Sequence, residues 1–289
     1  VTARESDRSL VPNDVPSPDR VFRLAFGGYV GVLVAGLVTV LVVLVRPETT
    51  SNGVAGTYAA GLGGGCLVGV VLASRVRGLA VRLGRTWGRR AALVLLPVPV
   101  GIAAGVSLVT PLESPVGVVA LAASIAAAVA GLVLRWLVAT RYTDACTPSD
   151  PIATWRWNPP SSPKLDALLL AMWLLLGIGD GLAGNWVGTL VWTGLAIAWV
   201  ASGLVEGRWR LGAFGATPEI RVYADGLVKR RPYTREFVPW DDVAHVRLRE
   251  DELVLDRGLF DVRFDREELP DLEALRAEIE GRLPNGTAG

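Results

Sequence analysis

Histidine and lysine are nearly missing from this 289-residue chain, which has one of the first, His245, and two of the second, Lys164 and Lys229. A single histidine rules out a His-rich metal site and leaves a serine or cysteine triad only His245 as its base, which stands mid-strand between Ala244 and Val246 and is expected to be structural. Only two cysteines occur, Cys66 and Cys146; their expected places, inside a bilayer and on its cytoplasmic side, suit free thiols better than a structural disulfide. Charge is scarce as well, with 20% Asp, Glu, Lys and Arg against about 25% in soluble domains. The formal net charge is +1, so no bulk positive excess points to nucleic acid. No glycine-rich phosphate loop followed by Lys-Ser/Thr is found, since "GLGGGC" (61–66) lies inside an apolar run. Paired carboxylates such as Asp241 and Asp242, or Glu267 and Glu268, are neighbours in sequence only. The expectation is a protein without enzymatic turnover, cofactor or metal.

Apolar residues are what the chain has in plenty, at 51% with a mean hydropathy of +0.40. A helix crossing a hydrocarbon core needs roughly 20 mostly apolar residues. Six windows qualify, at about 22–45, 54–73, 91–110, 116–138, 165–183 and 186–205. Lys and Arg concentrate before the first window (Arg4, Arg8, Arg20, Arg23), in 74–90, and around the fourth-to-fifth connection (Arg135, Arg141, Arg156, Lys164), whereas the other side has Arg46. The positive-inside rule then predicts a multi-pass protein of the cytoplasmic membrane with both termini in the cytoplasm. Residues 1–19 are polar and Pro-rich without a signal-peptide pattern, and are expected to form a disordered cytoplasmic tail.

Within the windows, small residues recur four apart: Gly27, Gly31 and Ala35; Gly61, Gly65 and Gly69; Gly194, Ala198 and Ser202. Such rows let backbones approach closely, either inside one chain or at the face of a homo-oligomer or a substrate groove. Pro97 and Pro99 predict a kink in the third window. Asp180, in "GIGDGLAGNW", is the intramembrane polar candidate, because a carboxylate in hydrocarbon is costly and marks a partner or a wet cavity.

Two connections stand out. In "SRVRGLAVRLGRTWGRR" (74–90), projection at about 100° per residue puts Val76, Leu79, Ala80, Leu83 and Trp87 on one stripe and Arg75, Arg77, Arg82, Arg85 and Arg89 on the remaining arc. This predicts an interfacial helix whose arginines meet anionic lipid, with a loop that only fixes orientation as the plainer reading. The Pro-rich stretch 141–164 carries Trp155 and Trp157, placed either at the lipid interface or against the tail.

From Trp209 onward the period changes to two. Strands are expected at 219–223, 226–231, 236–240, 243–250, 252–256 and 260–264, with 208–214 as a further first strand, then an amphipathic helix bearing Leu272, Leu275, Ile279 and Leu283. That order, with "YADGL" (223–227) and "FVPWDDVAHVRL" (237–248), resembles bacterial pleckstrin-homology-like domains over about 211–284. The resemblance implies an antiparallel sheet capped by a C-terminal helix, in a binding or scaffolding module. Lys229, Arg230, Arg231 and Arg235 form a basic cluster that would touch anionic headgroups or remain a solvated strand edge.

The expected fold is a membrane all-α bundle of six transmembrane helices followed by a small α+β domain. Its parts are a disordered tail (1–19), the transmembrane domain (20–207), the cytoplasmic pleckstrin-homology-like domain (208–284) and a short disordered end (285–289). The function expected is a membrane scaffold or regulator binding anionic lipid or a protein partner and no nucleic acid, with a small-solute or ion transporter or channel as the alternative.

Overall fold

The computed structural model describes residues 19–46, 48–99, 101–102, 115–158, 162–207, 209, 217–258, 261–269 and 271–283. Their contacts fall into two units: a helical unit over 19–142 and 167–200, and a sheet unit over 143–166 and 201–283.

The helices are α1 (Arg20–Val45), α2 (Ser51–Arg75), α3 (Leu79–Gly84), α4 (Trp87–Leu95), α5 (Pro115–Cys146), α6 (Pro163–Leu182) and α7 (Trp186–Glu206). Five of these, α1, α2, α5, α6 and α7, are long and apolar enough to cross a membrane. Their starts follow local chemistry. The Asp19 carboxylate accepts from the Phe22 N–H at 2.7 Å, and the Thr50 hydroxyl accepts from the Gly53 N–H at 3.3 Å. Proline opens α5 and α6, where its fixed φ suits the first turn and its missing N–H has no helical partner to lose. The remaining window, 91–110, is described only to residue 102. Helix α4 ends at Leu95, a turn occupies Leu96 and Pro97, and helical backbone resumes at 98–99 and 101–102; the rest lies outside the described residues.

The two N-terminal small-residue rows meet each other. A Cβ placed on Gly69 would lie 2.8 Å from Gly27 Cα, one on Gly65 2.8 Å from Gly31 Cα, and one on Gly61 2.9 Å from Ala35 Cα. The backbones of α1 and α2 therefore touch where only hydrogen fits. Leucines of α1 turn the other way, with Leu24 69% and Leu37 62% exposed. Leu outside and Gly inside reverses the water-soluble pattern, as expected where lipid supplies no hydrophobic drive between helices. Gly194, in the third row, faces Ile125 of α5.

The sheet unit has two antiparallel sheets. One has the order β1 (Ala153–Arg156), β2 (Glu219–Val222), β3 (Gly226–Arg230), β4 (Arg235–Pro239); the other is β5 (His245–Leu248), β6 (Glu252–Asp256), β7 (Val262–Asp265). Helix α8 (Leu272–Glu280) follows, its N-cap Asp271 accepting from the Ala274 N–H at 3.1 Å. The period-two runs beyond residue 217 form β2 to β7, and the expected first strand, 208–214, lies outside the described residues. The edge strand beside β2 comes instead from the α5–α6 connection. Thr154 stands opposite Arg221 and Trp155 opposite Ile220 in an antiparallel ladder. Trp157, just past β1, is 3% exposed in a core with Ile220, Leu227, Val238, Trp240, Leu253, Phe264, Leu272 and Ile279. Burying a large apolar side chain contributes about 1.5–3 kcal/mol, so α8 is fixed chiefly by Leu272, Leu275 and Ile279, all fully buried.

Two predictions follow from this geometry. Gly65→Leu should lower the thermal midpoint of the detergent-solubilised protein through overpacking worth about 1–3 kcal/mol or more, while Gly28→Ala, with nothing within 4 Å among the described residues, should leave it unchanged. A fragment of residues 208–289 should show poorly dispersed amide NMR signals, and a peptide of residues 143–158 should restore dispersion by supplying β1 and Trp157.

Candidate functional site

The arginine-rich connection 75–90 is built differently from a free interfacial helix. Gly78, at φ 70°, separates α2 from α3, and Gly84 ends α3 after six residues. The side chains of Leu79, Ala80 and Leu83 pack with Leu134 and Val138 of α5. A Cβ on Gly84 would lie 2.2 Å from the Val138 carbonyl oxygen, so this helix end is pressed onto α5 backbone. The expected apolar stripe thus exists but is spent inside the protein, with Trp87 alone strongly exposed at 61%. The arginine arc remains outward: Arg75, Arg77, Arg82 and Arg89 are exposed and Arg85 is half-buried. Arg89 donates to the Arg82 carbonyl at 2.9 Å, which ties α4 to α3.

The tail cluster has the opposite character, each member being engaged within the fold. Lys229 Nζ lies 4.6 Å from the Phe264 ring centroid and 5.7 Å from that of Trp157. The Arg231 guanidinium stands 5.5 Å from the same Trp157 ring, and its backbone N–H donates to Thr234 O at 2.8 Å. Arg230 is 3.6 Å from Glu219, a carboxylate that also accepts from Arg221 at 2.8 Å. Arg235 pairs with Asp144 at the end of α5, and its carbonyl accepts from the Thr143 hydroxyl at 3.2 Å. Over residues 217–283 there are 17 acidic against 12 basic side chains, so the tail as a whole is negative.

Asp180 also has a structural partner. Its carboxylate accepts from Trp192 Nε1 at 3.0 Å across the α6–α7 hairpin, and a Cβ on Gly188 would collide with that carboxylate. The Asn185 side chain caps α7 through the Gly188 N–H at 3.2 Å, and Gly184 takes the positive φ of the turn. His245 is exposed on β5, opposite Asp256. Among the described residues no cluster of three His, Cys, Asp or Glu could hold a metal ion. An open pocket of about 270 Å³ lies beside the turn at Trp240, lined by Asp225, Phe237, Pro239, Asp241 and Arg282.

Sequence reasoning did not single out Thr143, Asp144 or Phe264, and it took Glu268 only as the sequence neighbour of Glu267. Trp157 Nε1 donates to Glu268 at 3.0 Å, and the Asn158 N–H donates to the Glu268 carbonyl at 2.9 Å. Burial pushes the Glu268 carboxyl above its ordinary value, partly offset by the Trp157 donor. The available signal was the alternation of Ala153, Trp155 and Trp157 with Thr154 and Arg156, which is short and flanked by prolines. Comparison of the chain with protein-family models, with curated proteins and with solved structures finds no match.

Burial of its ammonium end lowers the Lys229 pKa from 10.5 to about 8, with Glu236 opposing that shift and Arg231 adding to it. Between those values the unfolded chain holds more protons than the folded one, so stability rises with pH there, and below about 8 the full cost is present. Allowing for residual solvent, that cost is on the order of 2 kcal/mol. Lys229→Met, which keeps the stem, should therefore stabilise the sheet unit at pH 7 and flatten the alkaline rise, as read by denaturant titration of tryptophan fluorescence. A variant less stable at pH 7 would mean that the ring contacts outweigh desolvation.

Proposed function

We propose that the protein is a non-enzymatic scaffold or regulator of the cytoplasmic membrane, with six spans and both termini in the cytoplasm. Its arginine-bearing connection contacts anionic lipid, and its pleckstrin-homology-like sheet unit receives a protein partner. The observation that carries this division is the contrast between the two basic groups. Arg75, Arg77, Arg82 and Arg89 point outward, whereas Lys229, Arg230, Arg231 and Arg235 are engaged by rings or carboxylates of their own unit. A surface cation near an anionic leaflet gains about 1 kcal/mol, and a cation already held by its own fold has less to offer. The tail's acidic excess favours a protein partner over a lipid surface for the same reason.

Support for the pleckstrin-homology-like reading comes from the elements that carried the resemblance. Asp225 and Gly226 lead into β3, a turn at Trp240–Asp242 joins β4 to β5, and α8 closes the core after the last strand. Six spans and the stated orientation are favoured by the distribution of arginine over the connections. The hydrogen bond from Trp192 gives Asp180 a packing role, which weakens the transporter alternative.

The lipid assignment is tested by thermal unfolding in micelles. Added anionic phospholipid should raise the midpoint more than zwitterionic phospholipid does. Replacing Arg75, Arg77, Arg82 and Arg89 with Gln should remove most of that difference, and replacing Arg230 and Arg231 should not. The reverse ranking would place the lipid site on the tail.

A further inference from the structure

The end of α5 and the α5–α6 connection that follows it hold the four-stranded sheet at its two edges. At one edge the connection supplies β1 itself, continued by the Ile152 N–H donating to Val222 O at 2.8 Å and the Trp157 N–H donating to Pro218 O at 3.2 Å. At the other edge lies β4, where Arg235 is held twice by the end of α5: Asp144 takes its guanidinium, and the Thr143 hydroxyl donates to its carbonyl at 3.2 Å. The same connection sends Trp157 into the core, where Lys229 and Phe264 meet its ring. Helix α5 runs without a break from Pro115 to Cys146, so the residues that hold β4 belong to a membrane-length helix.

We infer that the Thr143–Asp144 grip on Arg235 is a coupling device: loosening or tightening of the sheet, as on binding a partner, changes the local stability of α5. Two features support this. The grip lies on an edge strand, with Arg235 and Asp144 partly exposed and Thr143 buried, and none of the three belongs to the apolar core, so it can open without dismantling that core. It is also polar and short-ranged, so it has two distinct conditions, made and broken, as a coupling element requires. The second attachment, through β1, follows residues 147–152, which have no helical structure, and so transmits less of α5's movement than the direct bonds to β4. This inference rests on the membrane reading of α5 but not on the lipid or partner assignments.

The test is hydrogen exchange on the full chain in nanodiscs, whose assembly verifies insertion independently. Leu253→Ala loosens the sheet core from a residue far in sequence from α5, with Val222→Ala as a milder substitute should the first fail to fold. Either should speed amide exchange over residues 135–142 severalfold in the otherwise unchanged protein. In the background Thr143→Val, Asp144→Ala the same core substitution should leave 135–142 unaffected, and the exchanged pair Asp144→Arg, Arg235→Asp should restore much of the response. Unchanged exchange at 135–142 on loosening the sheet would overturn the inference, as would an equal response with and without the grip.

Discussion

A sheet edge must give its N–H and C=O groups to something, and the edge of β2 gives them to residues 153–156. The ladder between β1 and β2 does more than close an edge. It brings Trp157 into the core, and with it the ring that Lys229 and Arg231 face and the indole N–H that Glu268 accepts. A sheet unit without this strand would leave a buried-sized hole, an uncovered backbone edge and a lysine with one ring fewer. The unit is therefore discontinuous in sequence, assembled from a connection between helices and from the chain that follows α7.

Much of this was legible in the sequence, and what escaped has a physical reason. Long apolar windows fixed five helices because length against hydrocarbon thickness is a coarse and robust signal. Strands β2 to β7 were visible because turns at Asp225-Gly226 and near Gly258 divide runs of alternating residues. The strand β1 escaped because four residues between prolines carry little periodicity, and its partner is more than sixty positions away. Register across such a distance is set by what the core accepts, here Trp157 beside Phe264, and not by local preference. On the stripe at 76–87, Leu79, Ala80 and Leu83 join a core with α5 residues while Trp87 stays exposed: periodicity shows that a face seeks apolar company, not whether α5 or lipid supplies it.

The helical and sheet units show opposite uses of the same residue type. Between α1 and α2, glycine at Gly31 and Gly65 serves contact, because dispersion between closely approaching backbones is the main source of association where both alternatives are apolar. In the sheet unit, Gly226 stands where a Cβ would meet Val238 O at 2.4 Å and the Phe237 ring, a requirement of one tight β-turn region within a core held by burial of large side chains. Loss of a methyl-sized space is thus costly in both, but for contrasting reasons: in one the helices separate, in the other a hairpin strains while its core remains.

Placement of charge follows from these two solvents. Between the ends of the long helices, the described residues keep few ionisable groups, and Asp180 is retained at a hairpin where an indole donor and a glycine accommodate it. On the outer face of β5 to β7, Arg247 and Arg263 stand opposite Val254, which is 5% exposed beneath their stems, while their heads reach Asp256, Glu252 and Asp261. Such exposed pairs contribute about 0–1 kcal/mol each, so their main effect is on what the surface presents: a face covered by arginine yet close to neutral. A face of that kind has no strong pull toward an anionic bilayer. Exposed arginine is gathered instead at Arg75, Arg77, Arg82 and Arg89, from the end of α2 to the start of α4.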